Sequence, residues 1–197
     1  YVSCHDDLAL HDRIAQALPQ ATEDEIARRS RFAAAFNLLS IGVPFFLAGE
    51  EMLRSKKLRS GKYDSNSYRS PDSVNSIKWS RLEDAQVQKT LRYYQGLLAL
   101  RREHSLFRIA DAAAAERCIS LAENTPEPLT VFRLEDKKEI ILAAFNPGQD
   151  GVNLSLPAGS WQVCVTDEQT DAQGLSSAQG EVSIPGISAF VAVQAKG

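Results

Sequence analysis

Along the first hundred residues, short apolar runs that end abruptly in acidic residues alternate with longer segments whose apolar side chains recur every three or four positions. Tyr1 and Val2 are β-prone and lead directly into His5-Asp6-Asp7, which predicts a strand whose end carries an acidic cluster. Thr22-Glu23-Asp24-Glu25 has the S/T-x-x-E form of a capping box and precedes Phe32, Phe36 and Leu39 at helical spacing, predicting a helix over residues 23–40. Residues 41–49 are a continuous apolar run closed by Gly, the pattern of a strand buried on both faces, with Pro44 as a discordant note. No period holds over residues 50–75, and unperiodic loops of that length are usually functional or disordered. A second capping box, Ser80-Arg81-Leu82-Glu83, precedes Val87, Leu91, Tyr94 and Leu98 and predicts a helix ending near His104.

Beyond that helix the texture changes. Gly, Pro and Asn punctuate β-rich runs at residues 130–134, 140–145, 161–166 and 189–193, with a small alanine patch at 112–115. The fold class expected is therefore α/β plus all-β. Strand, helix, strand, long loop, helix is the order of the C-terminal part of a (β/α)8 TIM barrel, from about strand 7 to helix 8, here residues 1–104. Residues 105–197 are expected to form an antiparallel β-sandwich behind it. A chain that opens inside a strand implies polypeptide ahead of it.

Charge and composition narrow the partners. The 22 Lys and Arg against 25 Asp and Glu give a net charge of −3 with no basic block, which argues against nucleic acid. No apolar run approaches the roughly 18 to 20 residues of a membrane span, so no membrane partner is expected. Cys4, Cys118 and Cys164 lack C-x-x-C spacing and indicate neither a zinc site nor a disulfide framework; Cys118 and Cys164, in β-rich runs, read as small buried residues. They leave a secreted or cell-surface location and a cytoplasmic one equally open.

In such a barrel the working residues lie beyond the C-terminal ends of the strands, the places taken by His5-Asp6-Asp7 and Gly49-Glu50-Glu51. Carboxylates there suit paired hydrogen bonds to vicinal hydroxyls of a sugar and general acid–base work. On residue types alone a solvated surface turn is the commoner explanation.

The motifs shift that balance. YVSCHDD resembles the fourth conserved motif of the α-amylase family of glycoside hydrolases, in which a hydrophobic strand leads into a His-Asp pair. GVPFFLAGEEMLRSK resembles the family's eighth-strand motif, its MLRSK ending being more particular to the type I pullulanase branch. DSNSYRSPDSVNSIKW is similar to the loop that follows in that branch, and ILAAFNP and VSIPGISAFVAV are similar to its C-terminal sandwich.

The resemblance implies a retaining hydrolase acting on α-1,6-glucosidic linkages of pullulan, glycogen or limit dextrins. Such enzymes use an Asp nucleophile after the fourth strand, a Glu acid/base after the fifth and a third Asp after the seventh. Only the third is carried here, as Asp6, so by resemblance this chain alone is inactive and depends on the remaining N-terminal part of the same barrel. Asp6 would act as transition-state stabiliser by binding the 2-OH and 3-OH of the −1 sugar, and His5 would touch the same sugar. Asn66 and Asp72 would bind glucose units farther along the non-reducing side. No cofactor or metal is implied within these residues, although Ca2+ remains possible elsewhere in the full-length protein. Asp7 and Cys4 stand where many relatives carry Asn and Lys or Ala.

Other residues are expected to be structural. Glu50 reads as a bracing residue, with Arg54 and Lys56 pairing with Glu50 or Glu51. Tyr63, Tyr68 and Trp79 read as packing beneath the loop, His11 and Asp12 as a helix start, and His104 as a helix C-terminus. Three alternatives stay open: another α-glucan hydrolase of the family, disfavoured by MLRSK and NSYRSPDSVN; a non-catalytic carbohydrate-binding fragment, disfavoured by the lone Trp161 in the sandwich half; and a structural or regulatory module with a vestigial pocket, which predicts no sugar affinity at His5 and Asp6.

Overall fold

A computed structural model describes residues 1–196. Its first half is built on helices α1 (Leu10–Ala17), α2 (Glu23–Leu38), α3 (Asp72–Asn75) and α4 (Ala85–Glu103). Half of the expected capping box of α2 forms: the Thr22 hydroxyl accepts from the Glu25 amide at 3.2 Å, while the Glu25 carboxylate accepts from Arg29 at 2.8 Å rather than turning back to Thr22, and three acidic residues in the first turn complement the helix dipole. The start of α4 differs from its sequence signal. Ser80 lies inside a 3₁₀ turn over Trp79–Glu83, away from the free amides of α4. Asp84 caps the helix instead, its carboxylate accepting from Gln86 at 2.8 Å and Val87 at 3.4 Å.

Neither predicted barrel strand forms. Residues 1–4 and 43–47 have no ladder partner among the described residues, and a strand exists only through one. Gly42 and Gly49 take positive φ at either end of the second segment, and Val43 is 97% exposed rather than buried on both faces.

The second half begins with α5 (Ala112–Cys118), formed by the alanine patch, whose residues are the best helix formers, and capped by the Asp111 carboxylate on the Ala114 amide at 2.7 Å. Cys118 is thus the last residue of a helix and half-buried, not a strand residue. Eight strands follow: β1 (Ile119–Leu121), β2 (Thr130–Glu135), β3 (Glu139–Asn146), β4 (Val152–Ser155), β5 (Trp161–Val165), β6 (Ser176–Ala178), β7 (Glu181–Ile184) and β8 (Ser188–Ala195). Six make an antiparallel sheet in the order β1-β2-β3-β8-β5-β6, and β4 and β7 pair into a second, two-stranded sheet.

The period of two along β3 separates two cores. Ile141, Ala143 and Phe145 face α2 and α4, meeting Leu38, Tyr93, Leu97 and Leu100. Leu142 and Ala144 face the other way, toward Trp161 and the β4–β7 pair through Leu154 and Ile184. Because both faces are covered, β3 and β8 read as nearly unbroken apolar runs. The Trp161 indole, fully buried, donates to the Pro157 carbonyl at 2.9 Å. Gly96 in α4 permits a close approach between helix and sandwich: Thr170, in the turn after β5, donates to the Tyr93 carbonyl at 3.0 Å across it. His104, the C-cap of α4, pairs with Glu139 at the start of β3 at 2.8 Å.

Candidate functional site

The His5-Asp6-Asp7 turn is shaped by its last member. Asp7 adopts a left-handed conformation (φ 62°), which Asp and Asn tolerate best among residues with a Cβ, and its carboxylate closes the turn. One oxygen accepts from the Leu8 amide at 2.8 Å and the other from Arg13 at 2.9 Å. Those bonds, the Leu8 amide first and Arg13 next, hold the Asp7 carboxyl below its usual range. With Asp7 engaged, His5 and Asp6 project into solvent, 80% and 82% exposed, with the imidazole Nε2 3.4 Å from the Asp6 carboxylate.

Glu50 follows Gly49, whose φ of 91° lets the chain turn into the 3₁₀ segment Glu50–Met52. It is buried, and its carboxylate accepts from the Tyr94 hydroxyl at 2.7 Å and from the Ser3 hydroxyl. Burial pushes its carboxyl above the usual range, against the pull of those two donors. Glu50 therefore ties residue 3, just ahead of the acidic turn, to α4. The expected pairing of Arg54 and Lys56 with Glu50 or Glu51 does not occur, because Glu50 is enclosed by Ser3 and Tyr94 and both cations meet carbonyls instead. Arg54 donates to Ala48 at 2.9 Å and Asn75 at 2.6 Å, and Lys56 to His5 at 2.9 Å and Asp7 at 3.1 Å. Glu51 accepts from the Gly49 amide at 3.0 Å.

The unperiodic loop is ordered by its own polar side chains. Asp64 accepts from the Asn66 amide at 3.0 Å and from the Ser70 hydroxyl, and Asn75 donates to the Ser67 and Ser70 carbonyls at 2.6 and 3.0 Å. These bonds bring Asn66 and Tyr68 opposite His5 and Asp6, and together with Arg54 and Lys56 they line an open cleft of about 270 Å³. Asp72, the first residue of α3, is not among the cleft's lining residues; its carbonyl accepts from Lys78 at 3.0 Å. Tyr68 and Trp79 are 73% and 67% exposed, so neither packs beneath the loop, whereas Tyr63 is half-buried.

Sequence reasoning missed a buried chain of polar groups behind the turn. Asp12 is fully buried, with one carboxylate oxygen accepting from the Lys56 amide at 2.6 Å and the other facing His11 at 3.2 Å; the far nitrogen of His11 lies 3.1 Å from Glu23. Its sequence signal, two polar residues in the first turn of α1, looks like any helix start.

The cleft offers a carboxylate, an imidazole, an amide and a phenol ring edge, a donor and acceptor set suited to a ligand rich in hydroxyls. Asp6 is the one carboxylate among its lining residues, so the acid–base pair of glycoside hydrolysis is not assembled there. Among the described residues no cluster of three His, Cys, Asp or Glu side chains is placed to hold a metal ion, and no helix is long and apolar enough to cross a membrane.

No family model matches the chain. It is similar to the pullulanase of Bacillus subtilis, 34% identical over 165 residues, covering 80% of this chain and 21% of that protein. It is similar also to the chloroplastic pullulanase 1 of Arabidopsis thaliana, 31% identical over 69% of this chain and 17% of that one. Among solved structures, the pullulanase from Bacillus acidopullulyticus superposes with a TM-score of 0.89 at 33% identity, over 98% of this chain and 24% of its own. The pullulanase from Anoxybacillus sp. LM18-11, complexed with maltotetraose, gives 0.82 at 29% identity, over 98% and 27%. The chain thus spans about a fifth of the length of the curated relatives it matches. Fold and likenesses class it with the glycoside hydrolases. Within them the chain belongs to the pullulanase family.

Proposed function

We propose that this chain is the C-terminal portion of a retaining hydrolase that cleaves α-1,6-glucosidic linkages in pullulan, glycogen or limit dextrins. Residues 1–104 complete a (β/α)8 barrel and residues 105–197 form its β-sandwich domain. The observation that carries the reading is that His5, Asp6 and Asn66, distant in sequence, line one cleft in a chain of the pullulanase family. Asp6 is the transition-state stabiliser: freed from the turn by Asp7, its exposed carboxylate is available to sugar hydroxyls whose bonds strengthen as the ring flattens toward an oxocarbenium ion. His5 contacts the same sugar, and Asn66 and Asp72 hold glucose units beyond it.

The nucleophile and the acid/base belong to the remaining part of the barrel, and this chain alone does not turn over substrate. The unpaired segments support that division. Tyr1 and Phe45 sit edge to face at 6.0 Å, and both are exposed together with Val43, where further barrel strands would pair with the backbone and cover the side chains. An α-glucan ligand is supported by the relatives solved with maltotetraose, maltotriose and maltose.

The test is digestion of pullulan by the longer protein that carries this chain, followed by proton NMR. Release of maltotriose whose new reducing ends appear first as the α-anomer is the expected result. Cleavage at α-1,4 bonds, or β-anomer first, would refute the assignment.

A further inference from the structure

Lys56 is 1% exposed, yet it takes part in none of the ion pairs found among the described residues. A buried ammonium is costly unless its donors are met, so where those donors go reveals what the residue is for. Two reach the carbonyls of His5 and Asp7, at 2.9 and 3.1 Å, the two peptide groups that bracket Asp6. Its backbone is used as fully. The amide donates to buried Asp12 in α1 at 2.6 Å, and the carbonyl accepts from the Asp64 amide at 3.0 Å. Asp64 in turn caps Asn66 and Ser70 in the loop on the opposite wall of the cleft.

We propose that Lys56 is the positioning residue of this site, fixing the Asp6 backbone from both sides and locking the Asn66 wall to it. This inference rests on the reading of Asp6 as the transition-state stabiliser. Without the ammonium, the turn is restrained mainly by the Asp7 bonds to Leu8 and to Arg13, and the Arg13 pair is about half exposed and weakened by solvent. A carboxylate whose value lies in the transition state tolerates little displacement; about 1 Å costs on the order of 100-fold in rate. Substrate held by groups elsewhere in the cleft is affected far less. The loss therefore falls on kcat and not on KM.

Three variants of the longer protein, Lys56→Met, Lys56→Gln and Asp6→Asn, assayed on pullulan with circular dichroism and thermal melts alongside, test this. Lys56→Met keeps the stem and removes all three donors; kcat is expected to fall on the order of 100-fold with KM little changed. Lys56→Gln retains an amide donor of shorter reach and is expected to recover part of that loss. If Lys56→Met does not fold, Lys56→Gln carries the same test, with a reduced kcat in a folded protein as the expected result. A lowered melting temperature with kcat per folded molecule unchanged would make Lys56 a stability residue and overturn the proposal. The control separates the two ideas. Asp6→Asn at full activity overturns the functional reading, whereas Asp6→Asn inactive with Lys56→Met fully active overturns the positioning role alone.

Discussion

Replacing Tyr94 with Phe isolates the bond that anchors both halves of the site to α4. The hydroxyl, on a residue 1% exposed, donates to the Glu50 carboxylate at 2.7 Å, and the ring keeps its packing against Phe46 at 5.6 Å between centroids after substitution. Glu50 retains the Ser3 donor but loses the phenol, so the cost is that of one buried hydrogen bond to a charged group, about 1.5 to 3 kcal/mol. With a urea slope of about 2 kcal/mol per molar, the midpoint of the transition that unfolds this region in the longer protein falls by roughly 1 M. The cost depends on pH with a definite sign. Burial raises the Glu50 carboxyl above its ordinary 4.5, so its proton-linked stability is full below 4.5 and declines as pH rises through the higher folded value. The phenol favours the charged form, so its removal costs most near pH 8 and progressively less as Glu50 becomes protonated. In a Glu50→Gln background, where the acceptor is neutral, the same substitution costs about 1 kcal/mol. Urea unfolding followed by circular dichroism at pH 8 and pH 5, in both backgrounds, makes the comparison. An equal cost at both pH values and in both backgrounds would refute the carboxylate as the acceptor.

Gly96→Ala would place a Cβ 1.8 Å from the Thr170 hydroxyl and 2.7 Å from its backbone carbonyl. Displacing that backbone is expected to cost about 1 to 3 kcal/mol in urea unfolding, and a neutral result would contradict the close approach of α4 to the sandwich. Burial works to lower the His11 imidazole, but its bonds to Asp12 and Glu23 outweigh this and leave it above 6.5. Its stabilisation is thus full below pH 6.5 and lost as pH rises through the higher folded value, and His11→Gln should remove that slope; an unchanged pH profile of stability would contradict the pairing. Prepared alone, the chain exposes Tyr1, Val43, Phe45, Phe36 and Ile41 and is expected to self-associate in sedimentation velocity, whereas a monomer with a cooperative melt would argue against an uncovered barrel face.

What the sequence made legible follows from how local each signal is. The Thr22 cap acts within one helix and is realised, whereas the stripe read from Phe32 and Phe36 is not the buried face of α2, which runs through Ile26, Ala27, Ala34, Ala35 and Leu38 and leaves Phe36 exposed; the β-rich runs at 130–134 and 140–145 become β2 and β3 nearly residue for residue. Asp84 was hidden by the rival box at Ser80, since either residue suits a cap until the 3₁₀ turn excludes one. Residues 41–49 carry a strand's composition but no partner, and strand pairing is not a local property. The site divides in the same way. Asp6, His5 and Asn66 are individually visible as motif residues, and the cleft joins them. The charge of Lys56 pointed to an ion pair with Glu50 or Glu51, and its actual partners, the carbonyls of His5 and Asp7, were not legible, because carbonyls bear no mark in a sequence.

The most direct measurement is the turnover of pullulan by the longer protein with Asp6→Asn beside the unsubstituted one. Because Asp6 projects from a turn whose bonds are made by Asp7 and Lys56, the substitution should leave melting unchanged while kcat falls by roughly three orders of magnitude or more. A kcat within about tenfold of the parent in a folded variant would contradict the account, since the bonds assigned to Asp6 would then not be those that form in the transition state.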